Sequence, residues 1–418
     1  MNKKIFFRLD WLSILLYLLL VSFGLVNIYS SGFSNTTIVF WDPNYLVGKQ
    51  FWIFIACLII LPFVLAIKSN FFEHLTYIFY GVSIISLLGL FIFGQTVSGA
   101  TSWYSLGSFS LQPSEFAKIS TAMVVALNLS SFQNDLKKNT HLLKIILLVT
   151  LPMLLIILQP DAGSALVFMG IFFVLIREGL NLKFLFLAMG SLLIFLLTLL
   201  FSPLNLSLVM GFIFLILYNL IKRRYPKTKK SPFISTLMIG IVLSYSVSFI
   251  FNTIFEQRHR DRFNIILGLE ADSRGIGYNI NQSKIAIGSG GFSGKGFLNG
   301  SQTKGNFVPE QETDYIFSIV GEEWGFLGSL TLILLFVILI FRIIYKAERH
   351  TSGYARIFSY TFASMLFVHF FVNIGMTLGL VPTVGIPLPF ISYGGSNLLA
   401  FSLMLFIYLN FDANRLNH

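Results

Sequence analysis

The sequence predicts an all-α, polytopic membrane protein, a bundle of about twelve transmembrane helices. Hydrophobic residues make up 55% of the 418 residues and charged residues only 11%, against roughly 25% charged residues in an average soluble domain. The mean hydropathy is +0.79. Apolar runs long enough to cross about 30 Å of hydrocarbon recur along the chain. This composition excludes a soluble enzyme.

The predicted spans follow one another from the N-terminus to the C-terminus. They cover approximately 11–30, 50–67, 75–94, 115–131, 142–158, 163–177, 183–201, 205–222, 233–255, 315–341, 357–378 and 394–411. The first run is too long for the core of a signal peptide and no small-residue cleavage site follows it, so we interpret it as an anchor helix. The single cysteine, Cys57, lies within an apolar run and excludes an internal disulfide.

The net charge of +11 is interpreted by its position along the chain. With a cytoplasmic N-terminus, the inside segments hold 20 of the 29 Lys and Arg residues, including the cluster from Lys222 to Lys230. The short outside loops hold only Lys49. This asymmetry follows the positive-inside rule and predicts that both termini are cytoplasmic. The basic excess therefore indicates membrane topology and no nucleic-acid partner.

The domain organisation is predicted to be a single integral membrane domain, 1–418, with one long extracytoplasmic loop at 256–313. This loop is rich in glycine, and its charges nearly cancel, with seven Lys or Arg against six Asp or Glu. A second irregular region, 380–396, contains three prolines in an apolar setting. Irregular backbone at membrane depth persists only when it is buried in protein or lines a wet cavity. We therefore expect this region at the outer rim of a groove.

Two similar motifs, Gln112-Pro113-Ser114 and Gln159-Pro160-Asp161, are typical of helix starts. Proline suits the first turn, and an acidic side chain there satisfies free N–H groups. Two interpretations stay open: Asp161 is a helix cap and Glu115 an acidic residue of a first helical turn, or both are functional groups. Lys118, three residues after Glu115, is costly inside a membrane. We expect Glu115 and Lys118 to form an internal pair that lines a polar cavity.

Other polar residues have structural interpretations that stay open at this point. His369 and Asn373, four residues apart, are more typical of an interhelical hydrogen-bonding pair than of metal ligands. Asp272 is one of six acidic residues in its loop and on its own suits a turn. The spacing of Ile280, Lys284, Ile285 and Ile287 predicts a short amphipathic helix at the membrane interface.

Several stretches of the chain resemble one known family in the family's order. They are GA at 99–100 with Trp103, QPSEFAK at 112–118, QPDAG at 159–163, GIGYN at 275–279, QSKIAIGSGG at 282–291, GKGFLNG at 294–300, PEQETDYIF at 309–317, GEE at 321–323 and PLPFISYGG at 387–395. On these motifs the chain resembles the SEDS proteins (shape, elongation, division and sporulation). The KGFLNG and PEQ motifs make it more similar to the RodA branch than to FtsW.

The resemblance implies a glycosyltransferase of the cytoplasmic (inner) membrane that polymerises lipid II into peptidoglycan on the outer face during cell elongation. It implies a class B penicillin-binding transpeptidase as partner, within the elongation machinery. The family's essential carboxylate lies just before the GxGY stretch, which places it at Asp272. Two alternatives stay open, a lipid II flippase and a non-catalytic scaffold for the transpeptidase.

The implied chemistry needs one general base, because the acceptor hydroxyl must lose a proton as it attacks the anomeric carbon. The diphosphate leaves without protonation if cations neutralise it, and Mg²⁺ or Mn²⁺ is the usual partner of diphosphates. Asp272 is accordingly the predicted catalytic residue. Arg260 and Arg274 lie on the same loop. The predicted substrate-binding residues are Glu115, Lys118, Asp161, Arg258, Arg262 and Lys284.

Three features depart from the family pattern. Ser102 stands where relatives often have Arg, so a contact with the glycosyl donor substrate is not expected there. Glu312 stands where relatives often have His, so a proton relay is not expected at that position. The family usually has ten spans, and the surplus pair is expected within 183–255.

Overall fold

The chain is described by a computed structural model that covers residues 8–33, 39–97, 99–107, 109–131, 136, 138–225, 231–255, 257–269 and 275–415. It divides into two compact units, which we call unit 1 (Met1–Gly179 with Tyr278–His418) and unit 2 (Leu180–Gly277). Asp272 and Arg274, together with residues 270, 271 and 273, lie outside the described residues.

Unit 1 contains most of the helices and all of the described strands. Its elements are α1 (Trp11–Gly32), α2 (Leu46–Ala66), α3 (Ser69–His74), α4 (Thr76–Phe93), β1 (Gln95–Val97), β2 (Ala100–Leu106), β3 (Phe109–Leu111), α5 (Pro113–Ser130), α6 (Asn139–Ile157), α7 (Ala162–Val167), a 3₁₀ turn (Phe168–Gly170) and α8 (Ile171–Arg177).

Unit 2 follows, and the chain then returns to unit 1. Unit 2 comprises α9 (Lys183–Leu200), α10 (Pro203–Arg224), α11 (Ser231–Phe249), a π-helical turn (Ile250–Ile254) and α12 (Gln257–Ile266). Unit 1 resumes with α13 (Ile276–Ser289), which begins two residues before the boundary, and continues with α14 (Ser301–Lys304), α15 (Ile316–Ala347), α16 (Gly353–Thr377) and α17 (Gly395–Asn414).

The helical membrane fold predicted from the sequence is confirmed. Within the described residues, ten helices are long and apolar enough to cross a membrane, and each matches a predicted span. The two remaining predicted spans are also helical but differ in character. The span at 115–131 is α5, which is less apolar because it carries Glu115 and Lys118, and the span at 163–177 is broken into α7, the 3₁₀ turn and α8.

The core of unit 1 lies around α16 and α17. Of their spanning windows, 78% and 89% of residues are buried, against 6% for α9 and α10 in unit 2. Helices surrounded by other helices carry Ser, Thr, Asn and Gly, because these residues allow close packing and hydrogen bonds between helices. This explains why α16 and α17 are the most polar of the long spans.

A small antiparallel sheet, β1-β2-β3, lies between α4 and α5 and was not expected from the sequence. Gln95 pairs with Trp103 and Tyr104 with Leu111. The sheet is anchored to its neighbours, since the Thr101 amide donates to the Gln159 carbonyl at 3.2 Å. It leads directly into Gln112, the residue before α5.

A break in α15 at Gly325 is bridged by the glycine-rich segment that follows α13. Gly325 has φ 63° and ψ −156°, a conformation that only glycine adopts readily. Four backbone hydrogen bonds close the break: Lys295 N to Glu322 O (3.0 Å), Gly296 N to Glu323 O (3.0 Å), Phe326 N to Gly291 O (2.9 Å) and Leu327 N to Phe292 O (3.1 Å). The glycines in this segment therefore permit close backbone approach.

The Glu322 carboxylate holds the next turn of the same segment. It is fully buried and accepts hydrogen bonds from Lys295 Nζ (2.7 Å) and from the Gln302 and Thr303 amides (2.9 Å each). A carboxylate at free N–H groups is favourable because their dipoles point toward it. Glu322 thus has a structural role in the fold.

We predict that Gly294→Ala lowers stability by about 3 kcal/mol. Gly294 has φ +81°, and a Cβ there would collide with the Glu323 and Trp324 backbone, so conformational strain adds to overpacking. Gly107→Ala is the matched control, because Gly107 has φ +69° but a Cβ there meets nothing within 4 Å. It should lose only about 1 kcal/mol. Thermal unfolding in detergent measures both, and equal losses would refute the close approach.

Candidate functional site

The two predicted helix starts meet at one end of unit 1, which we call the α5 end. Gln112 precedes α5, with Pro113 in its first turn, and Asp161 caps α7 by accepting from the Ser164 amide at 3.0 Å. Gln112 Nε2 donates to Asp161 Oδ2 at 2.9 Å, and its amide donates to Ser396 Oγ at 3.0 Å. The structure therefore confirms Asp161 as a cap and joins it to α5 and α17.

The expected ion pair inside the bundle is present one turn into α5. Lys118 Nζ lies 2.7 Å from Glu115 Oε1, and the two side chains are 1% and 2% exposed. Asn397 donates to the other carboxylate oxygen, Oε2, at 3.1 Å. A buried ion pair is tolerated only when further hydrogen bonds satisfy its remaining polar atoms. Asn397 on α17 supplies one of them.

His369 on α16 supplies the second partner. Its Nε2 lies 3.0 Å from Lys118 Nζ, and its Nδ1 lies 2.9 Å from the Pro387 carbonyl oxygen. An ammonium only donates, so Nε2 accepts and Nδ1 carries the proton that it donates to Pro387. His369 is therefore the neutral Nδ1–H tautomer and links α5 to the proline-rich segment. We call Glu115, Lys118, His369 and Asn397 the buried charge network.

Asn373 holds the same segment one turn further along α16. Its Nδ2 donates to the Asp314 carbonyl at 2.8 Å and to the Ile386 carbonyl at 2.7 Å. His369 and Asn373 were expected to be an interhelical pair. Both residues form hydrogen bonds to other elements. His369 contacts Lys118 on α5, and both His369 and Asn373 donate to carbonyl groups of loops.

The proline-rich segment between α16 and α17 is fixed by polar contacts along its length. Ser392 Oγ donates to the Thr313 carbonyl at 2.6 Å, and the Tyr393 amide donates to the Glu312 carbonyl at 2.8 Å. Burial raises the pKa of Tyr393, and the nearby Glu312 carboxylate raises it further. Phe390 has φ +68°, and its ring packs edge-on against Tyr17 with centroids 5.3 Å apart. From 386 to 392 the irregular backbone is thus largely buried in protein, which suits irregular backbone at membrane depth.

Lys284 lies on α13, whose C-terminal half docks on the end of α16. Ser283 Oγ donates to the Thr377 carbonyl at 2.9 Å, and the Lys284 ammonium lies against Gly379. The side chain is exposed, and no carboxylate pairs with it among the described residues. The amphipathic helix predicted around Lys284 is confirmed as α13.

A groove begins one turn beyond Lys284. It has a volume of about 370 Å³ and is lined by four glycines, Gly288, Gly291, Gly321 and Gly325, with mainly apolar side chains from α13, α15 and Leu378. Lys284 and Gly288 are four residues apart, so they share one face of α13, and Gly291 lies in the turn that follows the helix. We call this feature the glycine-lined groove.

The other predicted site residues belong to unit 2 or lie outside the description. Arg258 and Arg262 are on α12, and the partly exposed Arg262 side chain is described there. Arg260 Nη1 on the same helix donates to the Asn252 carbonyl at 3.0 Å. Glu115 and Lys118 are brought together, and Asp161 joins them through Gln112 and the start of α5. Lys284 stands apart from this group on α13.

The sequence pattern did not identify Asn397 and Gln112 as partners of these charges, and it did not predict a contact between His369 and Lys118. The available signal was a polar side chain inside an otherwise apolar helix, which needs a partner when no water is present. The sequence could not show that His369 contacts Lys118, because that contact depends on how α5 and α16 pack.

The described residues provide no cluster of ligands for a divalent metal ion. They contain no group of three or more His, Cys, Asp or Glu side chains that could hold one. Glu115, Asp161 and Glu322 are each occupied by hydrogen bonds or an ion pair. The described part of the chain does not fit a cation held by protein ligands alone.

Comparison with known proteins gives one consistent family. Residues 10–216 and 228–417 match the cell cycle protein family FTSW_RODA_SPOVE. The chain is similar to the peptidoglycan glycosyltransferase RodA of Treponema pallidum, with 33% identity over 97% of this chain and 98% of that protein. It is also similar to the peptidoglycan glycosyltransferase MrdB of Escherichia coli K12, with 33% identity over 86% of this chain and 83% of that protein.

Solved structures agree with the fold. A chain of a peptidoglycan synthase complex that coordinates polymerisation and crosslinking has a TM-score of 0.72 at 24% identity, covering 98% of this chain and 99% of that one. The rod shape determining protein RodA of Thermus thermophilus has a TM-score of 0.63 at 24% identity, covering 97% of each chain. At this identity the likeness concerns the fold alone.

We predict that Lys118→Met destabilises the protein by about 3–5 kcal/mol, because it leaves the Glu115 carboxylate buried without its counter-charge. The double variant Glu115→Gln/Lys118→Met should lose much less than the sum of the single changes. Lys144→Met, at an exposed position on α6, is the control and should change little. Thermal unfolding in detergent measures five proteins: the wild type, Lys118→Met, Glu115→Gln, the double variant and Lys144→Met. A Lys118→Met variant as stable as the wild type would contradict this account.

Proposed function

Since the chain belongs to the family of FtsW, RodA and SpoVE, we propose that it is a peptidoglycan glycosyltransferase that polymerises lipid II during cell elongation. The observation that carries the proposal is the end-to-end match to proteins of that activity. The resemblance on the nine sequence motifs supports the same activity. The fold, a helical bundle in which α13, a glycine-rich segment and α14 lie between α12 and α15, is compatible with this activity.

We place the protein in the cytoplasmic membrane with the α5 end on the extracytoplasmic side. The support is the charge asymmetry, since 20 of 29 cationic residues fall in segments on the opposite side. In this orientation the proline-rich segment, α13 and the glycine-rich segment all face outward. The polymerisation reaction therefore takes place outside, where the glycan product is needed.

Asp272 is the proposed general base. In the reaction a hydroxyl of the acceptor sugar attacks the anomeric carbon of the lipid-linked donor, and the bond from that carbon to the diphosphate oxygen breaks. The hydroxyl proton passes to the Asp272 carboxylate. A single carboxylate suffices because the diphosphate, unlike the alcohol released by a glycosidase, leaves without protonation.

Cations of the same loop neutralise the departing diphosphate. We assign this role to Lys284, Arg258 and Arg262 from their position in the sequence around Asp272. A Mg²⁺ or Mn²⁺ ion would enter with the diphosphate as part of the substrate. Glu115, Asp161 and Glu322 are already engaged by hydrogen bonds or an ion pair, so this proposal does not use them as metal ligands.

The glycine-lined groove suits the polyprenyl chain of one lipid-linked substrate. The groove is mainly apolar, and the Lys284 ammonium stands one turn from it on the same helix face. A lipid with an anionic diphosphate and a long apolar tail would place the diphosphate at the Lys284 ammonium and the tail in the apolar groove. The absence of side chains at Gly288 and Gly291 leaves room for such a chain.

Glu115, Lys118 and Asp161 are assigned a supporting role. Their charges are satisfied by His369, Asn397 and Gln112, so they hold the outward segment in place. Intramembrane charges also suit a transporter. A network that is already satisfied and nearly inaccessible to water gives no specific support to a flippase.

A class B penicillin-binding transpeptidase is the proposed partner. The support is the likeness of the fold to a chain of a peptidoglycan synthase complex that couples polymerisation and crosslinking. The partner would place its transpeptidase activity on the same outer side as the new glycan.

We predict that Asp272→Asn lowers polymerisation of lipid II by roughly 10²–10⁴-fold, since the amide cannot accept the proton. The assay uses purified protein with its transpeptidase, lipid II and Mg²⁺, and measures glycan chains by gel. Asp261→Asn, on α12 of the same loop, is the matched control and should retain activity. Full-length chains from Asp272→Asn would remove Asp272 from the base role. Lipid II transport without polymer would favour a flippase instead.

We predict that Gly288→Leu raises the KM for lipid II roughly tenfold with little change in kcat, because the leucine fills the groove. A Cβ at Gly288 meets nothing within 4 Å, so α13 itself tolerates the change. Gly81→Leu, at another open glycine on α4, is the control. An unchanged KM in an active Gly288→Leu variant would exclude the groove as the substrate site and leave the catalytic proposal intact.

A further inference from the structure

Helix α10 of unit 2 ends in an exposed cationic cluster. Lys222, Arg223 and Arg224 form its last turn, and all three side chains are exposed. No carboxylate pairs with them among the described residues. The C-terminal end of a helix dipole favours cations, and an unpaired cluster there is free to bind anions.

An apolar groove begins directly beside this cluster. It lies between α10 and α11, has a volume of about 200 Å³, and is lined by Gly211, Phe214, Leu215, Tyr218, Phe233 and Ile234 with one further leucine. Tyr218 marks the junction, because its ring lies 5.7 Å from Lys222 Nζ and 5.4 Å from the ring of Phe233. We call this feature the α10–α11 groove.

The cluster and the groove lie on the same face of α10. Gly211, Leu215, Tyr218 and Lys222 are spaced by four, three and four residues, which is the period of one helix face. Gly211 leaves the far end of the groove open, since a Cβ there would meet nothing within 4 Å. A ligand of this surface would therefore be anionic at the Lys222 end and apolar toward Gly211.

The size of the groove selects among apolar occupants. A transmembrane helix with its side chains is about 10–12 Å across and does not fit between two adjacent helices. A single acyl chain is much narrower than a helix, and part of its length can enter a groove of about 200 Å³. The spanning windows of α10 and α11 are only 6% and 11% buried within the described structure, so both helices present apolar side chains to their surroundings.

We propose that the α10–α11 groove is a binding site for an anionic phospholipid. The phosphate of the headgroup lies at Lys222 and Arg223, and one acyl chain follows the groove past Tyr218 to Gly211. Basic residues at the end of transmembrane helices attract anionic lipids, and each contributes to the affinity. Tyr218 occupies the level at which tyrosine rings settle in bilayers.

The proposal concerns a part of the chain that the polymerisation chemistry does not use. It gives a role to the α10–α11 pair of unit 2. It is independent of the catalytic assignment, because neither Asp272 nor the buried charge network belongs to this surface.

The test is native mass spectrometry of the purified full-length protein with added dioleoyl phosphatidylglycerol or dioleoyl phosphatidylcholine. The wild type should retain phosphatidylglycerol in preference to phosphatidylcholine. Lys222→Gln/Arg223→Gln should bind phosphatidylglycerol roughly 30-fold more weakly, about fivefold for each charge removed. Gly211→Leu should weaken it as well, because the leucine blocks the acyl chain.

Three controls separate charge, volume and fold. Lys222→Arg/Arg223→Lys keeps both charges and should bind like the wild type. Lys138→Gln/Lys144→Gln removes two exposed cations from unit 1 and should leave binding unchanged. Gly190→Leu fills another open glycine position, on α9, and should also have no effect. Equal retention of the two lipids by the wild type, or undiminished binding of phosphatidylglycerol by Lys222→Gln/Arg223→Gln, would overturn the proposal.

Discussion

Burial of the Lys118 ammonium and the Glu115 carboxylate requires that every polar atom on them has a partner, since no water is available to replace a missing one. The partners come from two other helices, Asn397 on α17 and His369 on α16. His369 in turn donates a hydrogen bond from its Nδ1–H group to the Pro387 carbonyl oxygen. Three helices and the proline-rich segment are therefore positioned by one network, and a change at any member leaves a charge or a donor unsatisfied.

This constraint connects the core to the surface proposed to carry the chemistry. The proline-rich segment that His369 and Asn373 hold also contacts the residues just before α15, through Ser392 and Tyr393. From there α15 supports the glycine-rich segment and, through it, the end of α13. The buried charge network thus stabilises the α5 end of unit 1 without any need for its members to touch a substrate.

Much of this fold follows from local patterns in the sequence. The apolar runs predict the long helices, the two Gln-Pro motifs predict where α5 and α7 begin, and the spacing of Glu115 and Lys118 predicts their ion pair. The small sheet, the contact of His369 with Lys118 and that of Asn397 with Glu115 were not predictable, because they depend on segments distant in sequence. Asp272 has no local signal of its own, so its assignment depends on the family resemblance.

The interrupted helix α15 has a consequence for biosynthesis. At Gly325 the backbone groups that a continuous helix would satisfy internally are paired instead with residues 291–296. Unpaired peptide groups are unfavourable in hydrocarbon, so the first third of α15 is not stable in a bilayer by itself. The preceding glycine-rich segment must already be available for pairing when that third of the helix leaves the insertion machinery. Order of emergence from the ribosome, in which this segment precedes α15, supplies that timing.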